Sequence, residues 1–163
     1  MRRIDVHSSF KEFDAVQDLP AEDQELIREA RQSMAMAYAP YSHFHVGAAV
    51  RLENGLIVKG NNQENASYPL GLCAERVALF SAGAMFAGIK ITAIAVTAQS
   101  EEFSIDKPVS PCGACRQAIA EYEHRYRHPI RLIMTGESGK ILVADNIGQL
   151  LPFVFSGDDL KKK

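Results

Sequence analysis

Apolar residues recur along this chain with two different periods. After Pro20 they fall at helical spacing. Leu26, Ile27, Ala30, Met34 and Ala37 form one stripe, with Glu22, Asp23 and Glu25 in the first turns. That pattern predicts a helix opened at Asp18 or Pro20 and running to about Ala37, with the stripe in the core. Ala39-Pro40-Tyr41-Ser42 breaks it. Residues 46–52 and 56–58 then read as strands around Glu53-Asn54-Gly55, since Asn-Gly is a strong hairpin signal. Residues 60–65 read as a polar loop, ordinarily just solvated, whose carboxamides and carboxylate also suit the hydroxyls of a sugar. A helix is expected over 73–85, with Val77, Ala78 and Ala82 inward, followed by a strand over 90–97 apolar enough to be central. A loop over 99–109 leads to a helix over 112–122, strands over 130–134 and 141–143, and a short helix over 147–151.

The resulting order, α-β-β-α-β-α-β-β-α, predicts an α/β fold built on a mixed five-stranded sheet flanked by helices. Residues 1–19 lack a clear period and read as an N-terminal extension with no assigned chemistry, residues 20–160 as one domain, and residues 161–163 as a solvated basic tail. A chain of 163 residues is long enough for one self-sufficient core.

Charge and composition narrow the function classes. With 18 basic and 20 acidic residues the formal charge is −2, there is no Trp, and the last three residues are the one basic run. That combination argues against a groove for nucleic acid, which needs cationic walls and aromatic platforms. No apolar stretch reaches the ~20 residues that span a bilayer, and Met1-Arg2-Arg3-Ile4-Asp5 does not open a signal peptide. The three cysteines cannot all pair internally, and a metal role fits a reducing cytoplasm better than disulfides do.

Those cysteines carry the chemistry. Cys73-Ala74-Glu75-Arg76 and Ser110-Pro111-Cys112-Gly113-Ala114-Cys115-Arg116-Gln117 each stand at an expected helix start. Cys112 and Cys115, three apart, share one helix face. Free N–H groups and the positive dipole end favour thiolates there. Three thiolates can fill three corners of a zinc tetrahedron and leave the fourth for water, the layout of a catalytic site. Glu75 is near enough to meet that water without ligating the metal. The plainer reading is a redox Cys-x-x-Cys, or buried inert thiols. The joint presence of Cys-Ala-Glu and Pro-Cys-x-x-Cys resembles the zinc nucleobase deaminase signature in its three-cysteine form.

The resemblance extends beyond the metal motif. Ala39-Pro40-Tyr41-Ser42-His43-Phe44-His45-Val46-Gly47, Gly60-Asn61-Asn62-Gln63-Glu64-Asn65-Ala66, Tyr68-Pro69-Leu70-Gly71-Leu72, and Leu150-Leu151-Pro152 with Phe155 are similar, in order, to the small cytidine deaminases across about residues 22–160. That resemblance implies a three-layer α/β/α fold, one zinc per subunit, a homotetramer with shared sites, and hydrolysis of cytidine and 2′-deoxycytidine to the uridines with release of ammonia. It makes Cys73, Cys112 and Cys115 the zinc ligands and Glu75 the proton shuttle. It places Phe44 against the nucleoside and Asn62 and Glu64 on the ribose 3′-hydroxyl. Main-chain groups of Ala66 and Ala74 would read the pyrimidine edge, and Tyr68 and Phe155 would reach a neighbouring subunit's site. His43, His45 and Ser67 depart from the family's usual residues; a structural or exposed role is expected for both histidines.

A three-thiolate site blunts the acidity of its metal, because the bare centre carries net negative charge. Arg76 is expected to donate to a ligand thiolate and withdraw some of it; an exposed surface ion pair is its plainer role. Glu75 is expected to take a proton from water, give it to N3 of cytosine, and move a second to the amino group before ammonia leaves. Two rival readings are a deaminase of another cytosine nucleoside such as blasticidin S, and a non-enzymatic zinc-stabilised module. The latter needs a fourth protein ligand, for which His43 and His45 are the nearest candidates.

Overall fold

The computed structural model describes residues 1–160, so the expected basic tail at 161–163 lies outside the described residues. In chain order the elements are β1 (Lys11–Phe13), α1 (Ala21–Met34), β2 (Phe44–Leu52), β3 (Ile57–Asn61), α2 (Ala74–Met85), β4 (Ile91–Ser100), α3 (Gly113–Tyr126), β5 (Arg131–Met134) and β6 (Ile141–Ala144). One six-stranded sheet runs β1-β6-β5-β4-β2-β3. Its β4–β5 pair is parallel and the others antiparallel, so the sheet is mixed.

Side-chain alternation divides the core into two layers. Ala48, Val50, Leu52, Ile94, Val96, Leu132 and Met134 face α2 and α3, together with Ala78, Leu79, Ala82 and Ile119. Ala49, Ala93, Ala95 and Ile133 face the other way, onto Leu26, Ile27 and Ala30 of α1. The result is the expected α/β/α sandwich. The sheet, however, has six strands rather than five. The additional strand is β1, within the segment read as a featureless extension. Only Phe13 of its three residues is even partly buried, so Lys11-Glu12-Phe13 shows no alternation to find. Tertiary partners hold it: the β6 ladder, Lys11 to Asp145 at 2.7 Å and Lys140 to Glu12 at 3.0 Å.

Several boundaries also move. α1 stops at Met34, short of Ala37, and β4 extends to Ser100. β3 runs on to Asn61, so Gly60 and Asn61 belong to a strand rather than a loop. Gly60 is in place because α2 crosses directly over it: a Cβ there would lie 2.4 Å from the backbone N of Ala78 and 2.5 Å from the carbonyl O of Ala74. Gly47 does the same for α1, where a Cβ would lie 2.8 Å from the backbone N of Met34. These contacts bring both layers close to the sheet end formed by the start of β2 and the ends of β3 and β4.

Candidate active site

Cys73 is the residue that opens α2, and Cys112 the one that opens α3. Both positions usually hold a side-chain oxygen that bonds the first-turn N–H groups. Here neither has a side-chain cap bond, and each sulfur stands at the positive end of its helix, which favours a thiolate. Cys115, one turn into α3, is buried. The sulfurs of Cys73 and Cys112 are 3.9 Å apart, and those of Cys112 and Cys115 3.5 Å apart. Zinc–sulfur bonds of about 2.3 Å in a tetrahedron require sulfurs about 3.8 Å apart, so the cluster fits the metal. Among the described residues it is the one group of three or more His, Cys, Asp or Glu side chains spaced to hold an ion.

The charge around the cluster is arranged. A hydrogen bond from Cys115, then Arg76 and Cys112, pulls the Cys73 thiol down to about 5. Cys115 moves the opposite way, through the same bond and its burial. The Arg76 guanidinium lies against the cluster, reaching the Cys73 sulfur at 3.7 Å and the Gly71 carbonyl at 3.5 Å. Glu75, in the first turn of α2, is buried, and burial followed by the Cys73 charge raises its carboxyl above the usual range.

An open cavity of about 480 Å³ adjoins the cluster, a size ordinary for a small-molecule site. Cys73, Cys112 and Glu75 line one end; Phe44, Asn62, Glu64 and Tyr68 line the rest, with Ser42, Val46, Val96 and Ser110. Asn62 is committed to the start of β2: its carbonyl oxygen accepts from Val46 N at 2.8 Å and its amide donates to Phe44 O at 2.9 Å. One amide hydrogen remains for a ligand. Glu64 accepts from the Ser42 hydroxyl at 2.5 Å and from Tyr41 N and Ser42 N at 3.0 and 3.3 Å. Burial pushes its carboxyl up, but the Ser42 and Tyr41 bonds outweigh burial, and the shift is downward. The Ser42 hydroxyl also accepts from Phe44 N at 3.1 Å, tying the acid to the ring.

Not every expected residue meets here. Ala66 lies in an exposed loop and Ala74 is the buried first residue of α2; neither lines the cavity, and the role expected of both is through the main chain. Phe155, expected at a neighbouring subunit's site, is exposed, and its carbonyl accepts from Gln117 Nε2 at 2.6 Å. Ser42 and Arg116 carry no role in the sequence reading. Arg116 donates to the Pro111 carbonyl at 2.8 Å, the Leu150 carbonyl at 3.0 Å and the Ser110 hydroxyl at 3.2 Å, fixing the turn that presents Cys112. Its position directly after Cys115 is the one sequence signal it has.

Comparison with known proteins decides the family. Residues 20–127 match the cytidine and deoxycytidylate deaminase zinc-binding region. The chain belongs to that deaminase family. The matched region is a zinc-binding one, and its described residues supply the three-cysteine cluster. A cytidine deaminase of Halalkalibacterium halodurans is 42% identical over 137 residues, covering 84% of this chain and 96% of that protein. The crystal structure of cytidine deaminase from Burkholderia pseudomallei superposes with a TM-score of 0.69 at 42% identity, covering 80% of this deaminase and 97% of that chain. A more distant relative, a blasticidin-S deaminase of Bacillus cereus, is 30% identical over 85% of this deaminase and 96% of its own length.

Proposed function

We propose that this deaminase hydrolyses cytidine and 2′-deoxycytidine to uridine and 2′-deoxyuridine, releasing ammonia, with one zinc held by Cys73, Cys112 and Cys115. The observation that carries the reading is Glu75, a buried carboxyl on the wall that the thiol cluster shares with the cavity. Bound zinc supplies Lewis acidity that makes water a nucleophile near neutral pH. The chain supplies the rest. Glu75, raised by burial, exchanges protons with bases of modest strength. It takes one proton from water and places it on N3, which makes C4 electrophilic. It then carries a second proton to the amino group, so C4 gains oxygen and loses ammonia. Phe44 packs on the base, and Glu64 with the free hydrogen of Asn62 receives the sugar. The carboxylate geometry is set by Ser42 before any ligand arrives.

The cavity favours a nucleoside over its 5′-phosphate. Among the described residues that line it there is no Lys or Arg, while Glu64 and Glu75 are both present, so a phosphate finds no cationic partner and meets like charge. The exposed apolar side chains of Tyr68, Phe80, Met85, Phe153 and Phe155 support a homotetramer as the working assembly. A cytoplasmic setting suits thiols that must stay reduced. The test is kcat/KM for cytidine, free cytosine and cytidine 5′-monophosphate, with blasticidin S as competitor. Cytidine is expected to exceed the other two substrates by at least about 10²-fold, because cytosine lacks the sugar that Glu64 and Asn62 receive and the 5′-phosphate brings a charge with no partner. Comparable values for cytidine and cytosine, or preference for blasticidin S, would overturn the reading.

A further inference from the structure

We infer that Glu101 is a positioning residue for the nucleoside, acting through the two histidines that flank Phe44. The inference rests on the deaminase reading above. Its starting observation is backbone strain. His43 has φ of 52°, in the left-handed region that a non-glycine side chain occupies only at a cost. Something must hold it there, and Glu101 touches it twice. The His43 ring nitrogen Nδ1 lies 3.3 Å from Glu101 Oε2, and the Glu101 backbone N–H donates to the His43 carbonyl at 3.2 Å.

The other carboxylate oxygen, Oε1, lies 3.0 Å from Nε2 of His45. Neighbouring residues on a strand point to opposite faces, so His45 lies on the face of β2 away from Phe44. His43, just before the strand, turns its ring to the same carboxylate, so both histidines meet Glu101 while Phe44 lines the cavity. The backbone supports the same arrangement: Phe44 pairs with Ser100 in the β2–β4 ladder, and its ring lies 6.4 Å from that of Phe103. The segment 100–103 thus fixes Phe44 through the ladder, a ring contact and a carboxylate shared by two imidazoles.

The consequence reaches the sugar end. Ser42, next to the strained His43, donates to Glu64 and accepts from Phe44 N. Loosening His43 frees both the ring that packs on the base and the hydroxyl that orients the acid. Neither group takes part in bond making, so their loss weakens ground-state and transition-state binding alike. The signature is a raised KM at constant kcat. Each histidine contact is largely exposed and modest by itself, and the two share one carboxylate.

The experiment is steady-state kinetics of zinc-loaded Glu101→Ala and Glu101→Gln, beside wild type and Glu53→Ala, which removes an exposed ion pair to Lys90 away from the cavity. Glu101→Ala is expected to raise KM for cytidine about 3- to 10-fold with kcat within about twofold of wild type. Glu101→Gln, which keeps an acceptor and nearly the same volume, is expected to fall between, and Glu53→Ala to match wild type. An unchanged KM in Glu101→Ala, or a fall in kcat at constant KM, would overturn the role. Wild type separates the two claims. If it does not turn over cytidine the deaminase reading fails, whereas active wild type with an unaffected Glu101→Ala rejects the positioning role alone.

Discussion

Arg76 stands 3.7 Å from the sulfur of Cys73 because a helix start places the third residue after the opening one back over it. Three thiolates around a divalent ion would leave one net negative charge, which we propose the guanidinium offsets. The expectation at this scale is that Arg76→Gln lowers zinc affinity or turnover about 10- to 100-fold, the usual range for a group that orients or polarises a metal ligand. Zinc titration against a chelator, read together with kcat, checks it. Wild-type values for both would remove Arg76 from the chemistry. The metal residues were readable in sequence because Cys-Ala-Glu-Arg and Pro-Cys-x-x-Cys impose their geometry locally, within one helical turn. Ser42 and Glu101 were not. Glu101 meets His43 and His45 across 56 or more residues of chain, and no local pattern marks such a partner.

Helices and strands carry the site to one end of the sheet, and the closeness of α2 to β3 is what sets Glu75 against the cavity. Gly60 makes that closeness possible. Adding a methyl group there forces β3 and α2 apart, because a Cβ at 2.4–2.5 Å from helix backbone has no side chain to displace. Gly60→Ala is expected to cost about 1–3 kcal/mol and lower Tm by about 3–10 °C, with kcat falling as Cys73 and Glu75 shift. A thermal melt together with kinetics decides it; an unaltered Tm would mean that the contact between the two elements is looser than drawn. The long elements were legible because periodicity is strongest where one face is buried, as in α1 and β4. β1 was not, since three residues at a sheet edge bury almost nothing and are defined by the partners they meet. The end of β3 was hidden for a related reason. Gly60 and Asn61 resemble a loop by composition, and the demand for a glycine comes from the helix overhead.

The whole molecule is a three-layer sandwich whose two cores leave one opening at the helix starts, and no helix among its described residues is long and apolar enough to cross a membrane. Its charge balance and the carboxylate-lined cavity point to a small neutral ligand rather than a polyanion. The central claim is that a metal-bearing thiol cluster and a buried carboxyl act together on a cytosine nucleoside. The direct measurement is ultraviolet absorbance of cytidine incubated with zinc-loaded protein, with ammonia assayed in parallel and Glu75→Gln at the same zinc content as the reference. Conversion with stoichiometric ammonia by the wild type is expected, together with a loss of more than about 10²-fold in the variant, since Glu75 is proposed to serve two proton transfers. Zinc-loaded wild type that leaves cytidine intact, or Glu75→Gln that converts it at the wild-type rate, would contradict the account.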